Sequence, residues 1–446
     1  MNSKAAFFAV LVFFAQMSVF AFLISKDPIT PYDEEAHLDF LIKVSNFDIP
    51  SVNEPYGQEV LKIAACSPRR EAWVNLESCG SQYYSPSLAP FQGQNYVTEQ
   101  VPTYYILTAI PFKTCLAFSP ESIRGCARYS NSLWVAAAAA AGFLLLIQVQ
   151  PRRGYAELGL FSVAINSLPA IALQAITVNT DSLVQFFSLS IPAATIFLSR
   201  RPWPHRLKYI ILFIFFTLAL TTKPSVLPSL MICTLLYWIN TSKDSQKRSL
   251  LAATGTLALS LLATLFLIRL QPYVRGSTHE DYLEAFIQDR WTRTTVPDVF
   301  LGIMTQASQP FTGFVPGPLG VNHLILLSTL ITLIGWILIS RFRVSHIKSL
   351  RNMEGNNKGR DTRDYALFII IIIIVGPVLL GIATWLSNGW PANQNRYFMG
   401  SMTLALALAY ASSRSKVLNY TFLTLLIVSL SLTLVNALSV PFSSSS

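Results

Sequence analysis

Residues 5–40 read AAFFAVLVFFAQMSVFAFLISKDPITPYDEEAHLDF, an uncharged apolar run closed by a short link and a cluster of acids. At 1.5 Å per residue the run Ala5–Ser25 is long enough to cross a hydrocarbon core of about 30 Å, which predicts a first span over 1–25. It exceeds the about 7–15 apolar residues of a signal h-region and lacks a small-x-small cleavage site, so it reads as a retained helix. Just beyond it, Pro31–Phe40 holds Asp33, Glu34, Glu35, Asp39 and His37. One reading is the solvated first turn of an amphipathic helix, because acids suit a helix N-terminus and Leu38, Ile42 and Phe47 offer an apolar face. The other is chemistry, since carboxylates at a membrane edge are costly unless hydrated or used.

The whole chain agrees with the first run. Of 446 residues, 52% are hydrophobic and only 13% charged, and the mean hydropathy is +0.45. A water-soluble surface needs more charge than that, so the class is an all-α polytopic membrane protein. The net charge of +10 is then read by side of the membrane, with the lipid bilayer as partner and no nucleic acid.

Apolar segments recur at about 5–25, 129–149, 155–176, 182–199, 208–222, 225–239, 249–269, 323–340, 365–386, 397–412 and 417–440, which predicts eleven transmembrane helices. With the N-terminus cytoplasmic, the inner segments carry 19 of the 33 Lys and Arg and five of the 23 acids. That bias favours this orientation and places every acidic cluster on the far side. The organisation expected is a first helix over 1–25, a first extracytoplasmic loop over 26–128, helices 2–7 over 129–269, a second loop over 270–322, helices 8–11 over 323–440 and a tail over 441–446. Within the first loop, Thr103–Phe118 is apolar but short and holds Pro111 and Lys113. Counting it as a span would invert the charge bias, so it is expected to lie in the outer interface or to be re-entrant.

Cys66, Cys79, Cys115 and Cys126 fall on the oxidising side and allow three pairings, 66–79 with 115–126 among them, while Cys233 lies inside a span. No Cys/His spacing suggests zinc, and no Walker loop, Rossmann fingerprint, GxSxG or HExxH is present.

Five polar features stand at predicted outer span ends: Glu99–Tyr105, Asn179-Thr180-Asp181, Thr222–Ser225 around Lys223, His279–Asp281, and Gln394–Phe398 around Arg396. Each alone reads as a helix cap or a snorkelling cation. Together with Asp33 they read as one polar pocket. Two cations at a leaflet can hold a lipid-anchored phosphate, and a carboxylate beside them can take a proton from a hydroxyl. A phosphate leaving an anomeric carbon while a base activates an alcohol is glycosyl transfer, with Lys223 and Arg396 stabilising the departing charge.

The same residues carry a resemblance. Asp33-Glu34-Glu35-Ala36-His37 resembles the Asp-Glu-Pro-Ala-His signature of bacterial membrane glycosyltransferases of the GT-C superfamily, which use polyprenyl-phosphate-linked sugars. Glu99–Tyr105 resembles that group's x-Gln-Pro-Pro-Leu-Tyr-Tyr, Asn179–Leu183 its Asn-Pro-Asp-Ala-Leu, Thr222–Ser225 its Lys-Pro element, and Gln394–Phe398 its Gln-Gly-Arg-Tyr-Phe. Glu35, Val101, Thr180 and Asn395 depart from those patterns, which touches loop geometry more than chemistry. The likeness implies a GT-C-like fold in a bacterial inner membrane with the active site extracytoplasmic. It implies an inverting transferase in which Asp33 activates the acceptor and Glu34 is its partner or a metal ligand. His37, Gln100, Tyr104, Tyr105, Asp181, Lys223, Arg396 and Tyr397 would bind substrates. The donor would be a polyprenyl-phosphate sugar and the acceptor a cell-envelope glycan or lipid, with Mg2+ or Mn2+ dependence left open. Two other functions share some of these features, a polymerase or ligase of lipid-linked glycans and a secondary transporter or flippase. The latter would want midplane charges and an internal repeat, neither of which is evident.

Overall fold

The computed structural model describes residues 3–26, 34–67, 76–240, 246–275, 399–412 and 416–439. Asp33, His279–Asp281, Arg396, Tyr397 and the expected spans 323–340 and 365–386 lie outside the described residues. Among the described residues there are α-helices and short 3-10 turns and no strand, the one β-bridge pairing Pro55 with Gln94. In chain order the helices are α1 (Ser3–Ile24), α2 (Glu34–Ser45), α3 (Gln58–Ala65), α4 (Thr103–Phe118), α5 (Ile123–Val149), α6 (Tyr155–Asn166), α7 (Pro169–Ala175), α8 (Asp181–Arg200), α9 (His205–Thr222), α10 (Leu227–Asn240), α11 (Gln246–Arg275), α12 (Met399–Ser412) and α13 (Lys416–Ser439).

By length and hydropathy, five helices of the described residues can cross a membrane: α1, α5, α8, α9 and Ser249–Arg275 of α11. The chain is a polytopic, membrane-embedded protein. Its lipid-facing positions are legible from exposure, for Phe7 and Phe14 on α1, Ile210 and Ile214 on α9 and Leu262 and Phe266 on α11 are all open. Two apolar cores hold the helices together. One gathers α1, α5, α6, α7, α8, α12 and α13. The other joins α2, α3 and α4 to α8, α9, α10 and α11, so the helices between the first two spans are packed onto the bundle rather than set apart from it.

Two expected boundaries differ. The segment 155–176 is two helices, because Leu168 precedes Pro169 and takes an extended ψ of 142°, the conformation that a following proline favours over helix. The second span starts at Ile123, a turn and a half ahead of the expected 129, and the turns thus added carry Arg124 and Arg128.

Close helix contact explains one glycine. On α12 a Cβ at Gly400 would overlap Ser188 Oγ of α8, and that hydroxyl accepts from Ser229 Oγ of α10 at 3.0 Å while Ser229 meets Ser401 Oγ at 3.1 Å. A side chain there would part α12 from α8 and break the three-serine contact, and overpacking of this kind costs about 1–3 kcal/mol. Gly400→Val is therefore expected to lower the midpoint of thermal unfolding of the detergent-solubilised protein by several degrees. Gly255→Val on α11, where no atom stands within 4 Å of an added Cβ, is expected to leave it within error.

Candidate active site

The acids of the opening motif meet the cations at the start of α5. Glu34 and Glu35 occupy the first turn of α2, where the helix dipole favours negative charge. Arg124 and Arg128 sit one turn apart on α5 and face them. Arg128 Nε donates to Glu34 Oε1 at 2.8 Å and its Nη2 to Glu34 Oε2 at 2.7 Å, a two-pronged pair. Arg124 Nη2 donates to Glu35 Oε1 at 3.0 Å. The inner pair is sealed from water, with Glu34 1% and Arg128 3% exposed. Val178 N–H adds a third bond to Glu34 Oε1 at 3.2 Å.

The two neighbouring carboxyls are pushed apart. Burial works to raise Glu34, but the charge and hydrogen bonds of Arg128, with Arg124 and the Val178 amide, outweigh it and hold the group below the ordinary carboxylate range. At Glu35, burial wins over Arg124, the charge on Glu34 adds to it, and the carboxyl is raised.

Around this pair the structure gathers several of the residues singled out by sequence. On α2, His37 Nδ1 lies 2.6 Å from the hydroxyl of Tyr105 on α4, whose ring stacks on Phe40 at 3.9 Å between centroids. Tyr104, the preceding residue of α4, donates to Asn131 Oδ1 of α5 at 2.7 Å. Burial raises its hydroxyl far above the usual phenol range, so it is a neutral donor. Asn131 is an organising side chain that sequence reading missed. Its Nδ2 donates to the carbonyls of Gln174 and Ala175 at 2.8 and 2.9 Å, and Ser182 Oγ donates to its Oδ1. It thereby fixes the turn that leads into α8.

That turn carries the Asn179-Thr180-Asp181 motif. Asn179 Oδ1 accepts from the Asp181 N–H at 2.9 Å, an Asx turn that leads into α8. The Asp181 carboxylate receives Lys223 Nζ from the end of α9. The hydroxyl of Thr103, first residue of α4, donates to Thr221 beside that lysine at 2.9 Å. Thus α2, α4, α5, α8 and α9 are joined at the same end of the bundle by one largely buried set of polar contacts. The opposite end is marked by Arg200 Nη1 donating to Gln148 O at 3.4 Å, where α8 and α5 both finish.

Gln100 stands apart from this network. Its backbone carbonyl accepts from Arg275 Nη1 at 3.3 Å, and its buried Oε1 meets no donor among the described residues. Asp39 is absorbed structurally, accepting from Gly57 N at 2.8 Å and Asn95 Nδ2 at 2.9 Å and pairing with Lys43 at 3.0 Å. Two disulfides close this end, Cys66–Cys79 and Cys115–Cys126, the latter tying α4 to α5 beside Arg124 and Arg128.

The donor set does not favour a cation at Glu34, since both its oxygens are taken by Arg128 and a metal would have to displace the guanidinium. Among the described residues no cluster of three or more His, Cys, Asp or Glu is placed to hold a metal ion.

Residues 128–405 match the model of a protein family described as "Predicted membrane protein (DUF2142)". No curated protein matches the chain. Among solved structures it is similar to the Archaeoglobus fulgidus oligosaccharyltransferase in complex with Zn and sulfate, at 13% identity and a TM-score of 0.44, over 95% of this chain and 52% of that one. The chain thus spans about half the length of that enzyme. It is also similar to ArnT from Cupriavidus metallidurans in the apo state, at 13% identity and a TM-score of 0.35, over 92% of this chain and 78% of that one. For ArnT bound to undecaprenyl phosphate the values are 14%, 0.34, 90% and 77%.

A buried pair missing one partner leaves an uncompensated charge, whereas losing both is tolerated. Glu34→Gln or Arg128→Met alone is expected to cost about 3–5 kcal/mol in thermal unfolding, and Glu34→Met with Arg128→Met to recover most of it. Because the folded-state value of Glu34 lies below its ordinary 4.5, its stabilisation is complete above pH 4.5 and fades as pH falls through the lower folded value. The double variant should lose that part of the acid sensitivity in the same titration.

Proposed function

The chain belongs to the family described as Predicted membrane protein (DUF2142), and from that premise we propose that it is a membrane glycosyltransferase using a polyprenyl-phosphate-linked sugar. The observation that carries the reading is the bond from Val178 N–H to Glu34 Oε1. It brings the acidic start of α2 to the turn that holds Asp181 and, through Asp181, Lys223. A carboxylate cluster and a lysine suited to phosphate therefore adjoin at one end of a membrane bundle, which is the juxtaposition that transfer from a lipid phosphate requires.

In this reading Asp33, next in sequence to the clamped Glu34, is the base. It takes the proton of the acceptor hydroxyl as that oxygen attacks the anomeric carbon from the face opposite the phosphate. The bond from the anomeric carbon to the phosphate oxygen breaks, the configuration inverts, and the polyprenyl phosphate leaves with the electron pair. Lys223 exchanges its contact with Asp181 for the departing phosphate and shares that charge with Arg396, three positions ahead of α12, which packs on α8. His37 and Tyr105, hydrogen-bonded to each other, and Tyr104 face the sugar and acceptor. The acceptor is a cell-envelope glycan or lipid. The two disulfides support an extracytoplasmic site, because such bonds persist on the oxidising side of a bacterial inner membrane.

The test is transfer by the full-length protein in proteoliposomes, supplied with a panel of radiolabelled undecaprenyl-phosphate sugars and envelope glycan acceptors. One donor is expected to be consumed with release of undecaprenyl phosphate. Asp33→Asn should lower its turnover by about 10²-fold or more, and Lys223→Ala should slow it. Donor crossing the bilayer unchanged would support a flippase instead. Undiminished transfer by Asp33→Asn would remove the base assignment.

A further inference from the structure

We infer that Arg275, the last residue of α11, is a positioning residue for the His37–Tyr105 pair and acts on it through the ring of Phe40. Its guanidinium reaches three segments of the chain. Nε donates to Pro50 O at 2.9 Å and Nη2 donates to the same carbonyl. Nη1 donates to Gln100 O at 3.3 Å and to Gln271 Oε1 of its own helix. Pro50 follows α2 and Gln100 precedes α4, so this side chain fixes the exit of one helix against the entry of the other.

The flat face of the same group meets α2. Its central carbon lies 5.3 Å from the centre of the Phe40 ring, within cation–π reach. Phe40 stacks in turn on Tyr105 of α4, with 3.9 Å between centroids and 26° between planes. Both rings are fully buried, and in a close-packed interior a displacement of one is passed to the other. The Tyr105 hydroxyl lies 2.6 Å from His37 Nδ1, and the phenol and imidazole planes are 23° apart. His37 stands one turn before Phe40 on α2, so Tyr105 bridges two neighbours on the same helix face. The contacts run without a gap from guanidinium to phenyl to phenol to imidazole. A role that charge alone could fill would be met by lysine, whereas a fork onto several acceptors combined with a face laid on a ring requires arginine.

The consequence for turnover rests on the glycosyl-transfer reading and the contact itself does not, so the two are measured apart. The full chain, labelled with 15N-histidine and reconstituted in lipid, is compared by solid-state NMR as wild type, Arg275→Lys, Phe40→Leu, Tyr105→Phe and Arg275→Lys with Tyr105→Phe. The sequence holds five histidines, and the His37 signal is the one lost in His37→Gln. Arg275→Lys and Phe40→Leu are each expected to move the His37 Nδ1 resonance in the direction that Tyr105→Phe moves it. Arg275→Lys is expected to add nothing once Tyr105→Phe is present. In the transfer assay each single variant should lower kcat/KM by up to about 10²-fold, and the double variant should lie within about twofold of Tyr105→Phe. A His37 resonance unmoved by Arg275→Lys and Phe40→Leu would overturn the proposal, whatever happens to the unfolding midpoint. Effects that add in the double variant would overturn it too, since Arg275 would then only fasten Pro50 and Gln100. A wild type that transfers no sugar, with the NMR shifts as expected, would sink the glycosyl-transfer reading and support the positioning role.

Discussion

The contact on which the site depends is the buried pairing of Glu34 with Arg128. Neither charge could be held at that depth alone, and together they still leave oxygen lone pairs to satisfy. The fold meets this from three directions: the N-terminal turn of α2, the guanidinium at the start of α5, and the Val178 amide from the turn before α8. Three segments far apart in sequence are thereby brought to one point. The Cys115–Cys126 bond, within one turn of both arginines, limits how far α5 can shift against α4 and so acts on the same point through the covalent chain.

Amide side chains carry much of the remaining order. Asn131 and Asn95 are fully buried, and each binds backbone and side-chain partners at once. Asn131 serves the turn into α8 and the hydroxyls of Tyr104 and Ser182. Asn95 donates to Ala36 O and Asp39 Oδ2 and so fastens the loop before α4 onto α2. At the left-handed Gly93 (φ 83°) the chain turns so tightly that a Cβ would overlap the Pro86 carbonyl, and the Gly93 carbonyl then accepts from Tyr56 N at 2.9 Å. Asparagine can donate and accept from one rigid amide, and it suits places where a charge would be too costly.

What the sequence made legible follows the strength of the physical signal. Long uncharged runs announce membrane helices because the bilayer admits little else, and α1, α8 and α9 stand close to where hydropathy put them. The acidic turn and the Asn179–Asp181 motif were visible because polar residues are conspicuous beside apolar runs. Arg124 and Arg128 were not, for a related reason: two charges at the head of an apolar segment look like a loop, and their neutralising partners lie some 90 residues earlier. The break at Pro169 was hidden by uninterrupted hydrophobicity, although the proline itself was the clue. Asn131 gives no signal in one dimension, since its importance comes wholly from the carbonyls that converge on it. The cysteine pairing was one of three arrangements until the fold brought α4 beside α5.

The clamp also bears on how work divides among the three successive acids. A carboxylate kept ionised by a guanidinium holds its proton affinity low, and a weak base is a poor proton acceptor at neutral pH. Glu34 is in that position, so it is suited to orienting its neighbours rather than to moving a proton itself. Glu35, raised by burial and by the charge on Glu34, still has Arg124 on one oxygen. On the proposed reading the base is Asp33, the residue before this clamp in sequence. Within the run Asp-Glu-Glu the second residue thus anchors the start of α2 to α5, and the third adds a looser, more exposed tie to the same helix.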